Sequence, residues 1–322
     1  DADGETEPLL QPFEGVIWAS LTDAGGANRF RWGFPAPGYV AWSSPEVDEG
    51  PEILKMARVD DPASKVTVAT NVHYWRMSPD DSQWFWLSMA DSKGNGLLQT
   101  AKFPDGEPFD LLSDVRDYGL DSKGALVAIT VGGEVVSIPK PLSAPERKLS
   151  LDQDAKVLVA VGDEGDVAYG KHVVSGKVVD LFTAKLDGSR RCTLDTTTNV
   201  PLNSFRFGPG TEAAVWALQN NGQYDAYHTR LADCATESMA PAVSMLSWIS
   251  RGTAMFVDEF DSWSASGSLR VRSVSKSGAL EPAPATLLAQ RVGSFGTTGS
   301  VLLYASSVEA DTEGLYVRAF PR

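Results

Sequence analysis

Tight turns recur along this chain at intervals of 41 to 47 residues, and this spacing constrains the fold more than any other feature. Each turn is rich in Gly, Pro, Asp or Ser and is followed by a short apolar run. The turns end at residues 38, 82, 124, 165, 210, 252 and 299. Short apolar runs bounded by such turns predict strands, and no stretch sustains the periodicity of an amphipathic helix. The sequence therefore predicts an all-β protein built from seven repeats.

Each repeat contains four strand-like segments in a constant order. The fifth repeat shows the first three: a short aromatic strand at Phe205-Arg206-Phe207, an apolar strand at 214–217 and an alternating strand at 226–231. A short fourth segment follows, as at Arg191-Cys192-Thr193-Leu194 in the fourth repeat. Four strands repeated seven times predict a seven-bladed β-propeller of four-stranded antiparallel blades.

The two ends of the chain predict how such a ring closes. The seventh repeat stops after its third strand, at 314–320, and an extra strand-like run precedes the first repeat at 15–21. We expect this run to become the outer strand of the last blade, a 3+1 latch that covers an exposed edge. The predicted domains are an acidic N-terminal lead-in over 1–14 and a single seven-bladed propeller over 15–322.

One repeat carries a recognisable signature. In it an aromatic strand leads into Ser78-Pro79-Asp80 and then into an apolar strand, and Leu186-Asp187-Gly188 and, more loosely, Pro104-Asp105-Gly106 supply the later turn of such a unit. The pattern resembles the TolB-like (PD40, WD40-like) β-propeller repeat, and the likeness extends over nearly the whole chain. The Gly-His and Trp-Asp signatures of WD40 repeats are missing. The resemblance implies a fold, since members include periplasmic scaffolds, peptidase-associated propellers and surface proteins.

Charge and composition exclude some classes of function. The 322 residues carry a formal net charge of −14, and nucleic-acid binding requires a basic face. No apolar run approaches the roughly 20 residues that span a bilayer. Residues 1–14 contain five acids and no base. This lead-in resembles the tether of an exported protein or of a lipoprotein anchored before residue 1, and the alternative is a boundary cut at a disordered tail.

The residues needed for catalysis or for a metal are sparse. No G-x-S-x-G elbow is present, and the three histidines, His73, His172 and His228, fall at three different strand levels. We therefore expect no cofactor. Calcium is the one metal with candidate turns, at 80–81, 163–166 and 258–261, although acidic turns are also ordinary solvated turns.

Three arginines are candidates for lining a central channel: Arg31, Arg76 and Arg206. Arg76 and Arg206 occupy equivalent positions on first strands, each between two apolar residues. Alternation along a strand places each arginine opposite to its neighbours, where it could bind an anion or a partner's carboxylate. The alternative is pairing with turn aspartates. The tryptophans within strands are interpreted as core rather than as a carbohydrate platform, with Trp263 the exposed exception.

The two cysteines, Cys192 and Cys234, are 42 residues apart, close to one repeat. Equivalent positions in neighbouring blades lie about 10 Å apart, too far for a bond, but the loops before the two cysteines differ in length and could close the gap. A disulfide here would join two outer edges and indicate an oxidising compartment.

These features favour an exported, non-enzymatic propeller that acts as a protein-binding or scaffold module of the cell envelope or cell surface. The expected location is extracytoplasmic: periplasm, outer membrane surface or secreted. The alternative function is a propeller whose channel mouth binds carbohydrate or a small molecule, or acts on it as a hydrolase or lyase.

Overall fold

The computed structural model describes residues 31–33, 37–45, 52–89, 96–175, 177–195, 200–201, 204–208, 210, 212–220, 223–250, 252–261, 266–275, 277–298, 301–306 and 314–319. These residues form strands and turns, so the all-β prediction is confirmed for them. No helix among them is long and apolar enough to cross a membrane. The chain divides into two compact units, Asp1–Arg116 with Pro141–Pro145 and Asp117–Lys140 with Glu146–Arg322. The lead-in over 1–14 and the latch over 15–21 lie outside the described residues.

The first unit is an antiparallel meander in which each strand pairs with the next in sequence. Its strands are β1 (Arg31–Gly33), β2 (Tyr39–Pro45), β3 (Glu52–Arg58), β4 (Asp61–Met77), β5 (Gln83–Met89), β6 (Gly96–Lys102) and the first part of β7 (Phe109–Leu120).

The second unit begins within β7 and is also built of antiparallel pairs, most of which join strands that are consecutive in sequence. The strands up to the middle of the unit are β8 (Leu126–Thr130), β9 (Val135–Ile138), β10 (Leu149–Asp152), β11 (Val157–Val161), β12 (Asp166–Gly170), β13 (Val173–Val174), β14 (Lys177–Val178), β15 (Leu181–Lys185), β16 (Arg191–Asp195) and β17 (Val200–Pro201). The remaining strands are β18 (Phe205–Phe207), β19 (Ala213–Asn220), β20 (Gln223–Arg230), β21 (Ala235–Ala240), β22 (Met245–Ser250), β23 (Thr253–Asp261), β24 (Ser266–Ser273), β25 (Thr286–Thr298), β26 (Val301–Ser306) and β27 (Gly314–Ala319).

Two sheets of this unit contain four strands each, in the orders β11-β12-β15-β16 and β18-β19-β20-β21. A six-stranded sheet runs from β22 to β27 in sequence order. A small sheet, β13-β14-β17, is formed partly by the hairpin between β12 and β15. The turns that the repeat predicted join successive antiparallel strands, as β18 to β19 and β22 to β23.

The long strands β4 and β25 each pair with two neighbouring strands, one after the other along their length. The first half of β4 pairs with β3 and its second half with β5, and β25 divides in the same way between β24 and β26. The sequence predicted separate fourth and first strands at these places. Asn71 in β4, Asp114 in β7 and Arg291 in β25 each have a positive φ near the middle of the strand. This conformation turns the chain locally without ending the strand, which apolar patterning alone does not reveal.

Apolar side chains of the second unit fill the spaces between successive sheets. One cluster joins β8 and β9 to β12 and β15, and the next joins β12, β15 and β16 to β18 and β19. A third joins β19, β20 and β21 to β23. Alternate residues of β19 belong to different clusters, because Ala214 and Trp216 face one neighbour and Ala213 and Val215 the other. Burial on both faces explains why the second strand of each repeat is a continuous apolar run.

The turn that carries the family resemblance is held together by its own side chains. The Ser78 hydroxyl donates to Asp80 Oδ1 (2.6 Å) and accepts from the backbone N–H groups of Ser82 and Gln83 (3.1 and 3.0 Å). The Ser82 hydroxyl also donates to Asp80 Oδ1, at 2.8 Å. Hydrogen bonds from Ser78 first, and then from Ser82, hold the pKa of Asp80 below its usual value. The side chains of this turn therefore have a structural role, since they hydrogen-bond to one another and to the backbone of the turn.

Candidate binding site

A cavity of about 320 Å³ lies in the second unit, beside the first strands of two successive sheets, β18 and β22. Its polar wall contains one guanidinium and three hydroxyls, from Arg206, Ser204, Tyr224 and Ser244. Its apolar wall is formed by Pro201, Ala217, Val243, Met245 and Leu246. The cavity combines a positive charge and hydroxyl groups on one wall with aliphatic side chains on the other. Such a cavity suits an anionic group attached to an apolar stem.

Because side chains alternate along a strand, Arg206 lies on the exposed face of β18. Phe205 is buried and Phe207 is half-buried, and their rings contact edge to face with centroids 4.9 Å apart. Arg206 between them is exposed, and its Nη1 donates to the Phe205 carbonyl oxygen at 2.6 Å. The side chain thus lies opposite to both rings, as the strand period predicts.

Two of the three hydroxyl groups come from the beginnings of two equivalent strands, and the third belongs to Tyr224 on β20. Ser204 and Ser244 each directly precede a first strand, β18 and β22. Ser204 Oγ lies 2.8 Å from the Pro201 carbonyl oxygen and 3.1 Å from that of Ala217, and Ser244 Oγ lies 3.4 Å from that of Val257. Sequence reasoning missed these serines, although alignment of the fifth and sixth repeats shows both at the same position.

Arg76 is not one of the residues that line this cavity. Arg76 is exposed on β4 in the first unit, between half-buried Trp75 and Met77, with its Cζ 5.9 Å from the centre of the Tyr74 ring. Arg31 belongs to β1, and its side chain lies outside the described residues. A channel lined by all three remains a prediction.

Two of the three acidic turns bind basic side chains of the same chain, whereas Asp80 in the third accepts hydrogen bonds from Ser78 and Ser82. Asp166 receives Lys185 Nζ at 3.3 Å and Arg190 Nη2 at 2.5 Å, and Asp258 receives Arg270 Nε at 2.8 Å. Burial raises the pKa of Asp258, and the ion pair with Arg270 opposes that change. Within the described residues, no group of three or more His, Cys, Asp or Glu side chains could hold a metal ion.

The histidines and tryptophans have different environments. His73 and His172 are exposed, and His172 Nδ1 lies 2.8 Å from Asp180 Oδ2, whereas His228 is buried. Four strand tryptophans are buried, as the core interpretation predicts: Trp42, Trp84, Trp86 and Trp216. Trp263 lies outside the described residues.

The structure contains the disulfide between Cys192 and Cys234, with the two Cα atoms 5.4 Å apart. Cys192 lies on β16 and Cys234 in the turn just before β21, where its φ is +61°. Both strands are at an edge of their sheet. Cys234 lies in a turn, whereas Cys192 lies on a strand. The two cysteines are therefore not at equivalent positions of neighbouring sheets, and the separation of about 10 Å expected for equivalent positions does not apply to them.

An ionic cluster around the half-buried Asp152, which sequence reasoning missed, joins β10 to β12 and β16. Asp152 accepts from the Tyr169 hydroxyl at 2.6 Å and Lys171 Nζ at 3.1 Å, and Arg191 Nη2 lies 2.9 Å from it. Burial pushes the pKa of Asp152 upward, but these partners together hold it below its usual value. Lys171 and Arg191 both lie over the Phe182 ring, at 5.1 and 5.0 Å. Because Asp152 is engaged by three side chains of the same chain, we interpret the cluster as structural.

No family model matches the chain, and no curated protein matches its sequence. Among solved structures, it is similar to the tricorn protease (10% identity, TM-score 0.48), with 92% of this chain and 34% of that chain covered. It is also similar to the β-propeller domain of the Trilobed protease from Pyrococcus furiosus (11% identity, TM-score 0.44, 87% and 91% covered) and to TolB from Acinetobacter baumannii (11% identity, TM-score 0.40, 76% and 62% covered). The chain spans about a third of the tricorn protease. Each of these TM-scores is below 0.5, so the site is interpreted from its own residues.

Proposed function

We propose that this chain is a TolB-like β-propeller of seven four-stranded blades, latched by its N-terminal strand, that acts as a protein-binding or scaffold module. The sequential antiparallel order of the strands supports this fold, as do the apolar clusters between successive sheets. In a propeller each blade packs only on its neighbours, and a chain of 322 residues needs no second kind of core.

The exposed guanidinium of Arg206 at the cavity is the observation that carries the function. A planar guanidinium matches a carboxylate in two parallel hydrogen bonds, and Ser244 and Tyr224 place further hydroxyls on the same wall. A volume of about 320 Å³ suits a side chain or a chain terminus better than an extended oligomer. The partner group is therefore a carboxylate on an apolar stem, as in an acidic side chain or a C-terminus.

The partner belongs to the cell envelope or the cell surface in this proposal, and the chain is extracytoplasmic, with or without a lipid anchor before residue 1. The disulfide supports this location, because stable structural disulfides form in oxidising compartments and are rare in the cytosol.

Reversal of the charge at Arg206 is expected to weaken partner binding without unfolding the protein. The test is a pull-down from the native envelope fraction with the wild type, Arg206→Glu and Arg206→Lys as baits, and binding curves for each captured protein. A charge-assisted pair contributes roughly 1.5–3 kcal/mol, so Arg206→Glu is expected to weaken binding at least tenfold, and Arg206→Lys to weaken it less.

Arg147→Glu is the matched control, because Arg147 is an exposed arginine of the same unit outside the cavity. It is expected to bind as the wild type does, and thermal unfolding of all variants is expected to coincide. A partner that binds Arg206→Glu undiminished would overturn the role of the cavity. Failure to capture any protein, together with hydrolysis in a glycan or ester screen, would overturn the binding function in favour of an enzyme.

A further inference from the structure

The cavity beside β18 and β22 is locally positive in an acidic protein. The chain carries a formal net charge of −14, yet none of the described residues that line the cavity is an aspartate or a glutamate, and Arg206 supplies a guanidinium. Asp225 follows Tyr224 on β20, but its Oδ1 accepts the Ala242 N–H at 3.2 Å. An anionic group is therefore attracted to this cavity.

The size of the cavity distinguishes between the two kinds of group that carry a carboxylate on an apolar stem. One water molecule occupies about 30 Å³, so the volume of about 320 Å³ holds roughly ten groups of that size. A glutamate side chain is about as large as three water molecules, and two residues that end in a leucine are about as large as nine. The cavity therefore matches the end of a polypeptide better than it matches an acidic side chain.

The apolar wall of the cavity is held in place by packing on two sides. Met245 and Leu246 begin β22, and both are half-buried. Met245 packs against the apolar cluster of β23 to β26, and Leu246 packs against the cluster that joins β19, β20 and β21 to β23. An aliphatic side chain that enters the cavity is stabilised by contact with this wall, because it leaves water. The stem of an acidic side chain is too short to cover the wall.

The hydroxyl groups of the cavity offer an acceptor as well as donors. Ser204 Oγ lies within hydrogen-bond distance of two carbonyl oxygens, so its hydrogen is donated to one of them and its lone pairs stay available. Ser244 Oγ is 3.4 Å from the Val257 carbonyl oxygen, a long contact that a closer carboxylate replaces. A terminal residue carries an N–H donor next to its carboxylate, whereas the stem of an acidic side chain carries C–H groups alone.

We propose that this cavity binds the free C-terminus of a partner polypeptide that ends in an aliphatic residue. The terminal carboxylate accepts hydrogen bonds from Arg206 and Ser244, and the last peptide N–H donates to Ser204 Oγ. The last side chain packs on Met245 and Leu246. This inference rests on the proposed binding function and narrows it to one kind of ligand.

The test is calorimetric titration of the whole protein with a series of short acetylated peptides. The reference peptide ends in a leucine with a free carboxylate. Each of the others differs by one change: a C-terminal amide, an ester in place of the last peptide N–H, or a terminal serine. A further peptide has an amidated end and a glutamate as its only carboxylate. These changes leave the protein unaltered, so the comparison does not depend on the folding of a variant.

We expect the reference peptide to bind saturably. The amide, the terminal-serine and the glutamate peptides are expected to bind at least about tenfold more weakly, and the ester, which loses one neutral hydrogen bond, at least about threefold more weakly. Arg206→Glu is expected to weaken the reference peptide at least about tenfold and to remove its advantage over the amide. Arg147→Glu, an exposed arginine outside the cavity, is expected to bind as the wild type does.

Tight binding of the glutamate peptide, equal to that of the reference, overturns the inference and leaves the proposed function standing, because the carboxylate is then recognised on a side chain. Equal binding of the amide, the ester or the terminal-serine peptide also overturns it. Absence of binding by every peptide overturns it as well. In that case the proposed function stands if the envelope pull-down captures a partner that Arg206→Glu binds weakly, and it fails too if the partner binds this variant undiminished.

Discussion

Reduction of the Cys192–Cys234 disulfide is expected to lower the free energy of unfolding by about 4 kcal/mol. The bond closes a loop with a sequence separation of 42, and the loss of chain entropy that it imposes on the unfolded state grows with loop length. It also joins β16 to the turn before β21, the edges of two sheets that share one apolar cluster. The pair of sheets therefore loses a covalent tie when the bond is broken.

The measurement is equilibrium unfolding in denaturant with and without a reductant, with free thiols counted at each point. The double variant Cys192→Ala, Cys234→Ala is the control, since it has nothing to reduce. Its unfolding midpoint is expected to be low and unaffected by the reductant. If the fully reduced wild type unfolds at the same midpoint as the oxidised protein, the bond does not stabilise this fold.

Acidification from pH 7 to pH 4 is expected to cost the wild type about 3 kcal/mol more stability than it costs a His228→Leu variant. His228 is 0% exposed on β20, and neither of its ring nitrogens has a hydrogen-bond partner. Burial lowers its pKa from 6.5 to about 4; the nearby Glu237 carboxylate opposes this shift, and the Arg272 and Arg230 guanidinium groups add to it. The imidazole is consequently neutral in the folded protein at pH 7.

The direction of the effect follows from the two states. Above pH 6.5 His228 is neutral in both, and it affects stability equally at all higher pH values. Between pH 6.5 and about 4 the unfolded state takes up the proton and the folded state does not, so stability falls as the pH falls. Below about pH 4 both states are protonated and the loss is complete.

Urea unfolding at intervals between pH 7 and pH 4 provides the measurement. Burial raises the pKa of Asp121, and other carboxylates are also perturbed, but they are present in both proteins and cancel in the difference. His73→Leu is the control for removal of an exposed histidine. Parallel curves for the wild type and His228→Leu would contradict the prediction.

Local patterns in the sequence were sufficient for most of the secondary structure and for one side of the candidate site. The aromatic-Arg-aromatic strand at 205–207 places Arg206 opposite to its two neighbours, because side chains alternate along any strand. The same patterns were insufficient at β4, where two predicted segments form one strand that passes through a positive φ at Asn71. A residue with a left-handed backbone conformation inside a strand does not change the pattern of apolar and polar residues in a recognisable way.

Clusters of side chains from different strands could not be predicted from the sequence. Asp152, Tyr169 and Arg191 come from three strands, and no spacing along the chain indicates that one carboxylate receives both of the other side chains. The indole N–H of Trp84, which is buried without a hydrogen-bond acceptor, is a similar case, because the sequence around it is that of an ordinary core tryptophan.

The regular spacing of turns and the all-β class follow from the sequence, because turn residues and the alternation of buried and exposed side chains act over a few residues. The contact of Cys192 with Cys234, the neutral state of His228 and the cavity beside Arg206 were decided by the tertiary structure. Each of these features depends on how adjacent sheets pack and on which polar groups that packing removes from water. Both are decided by contacts between residues that are distant in sequence.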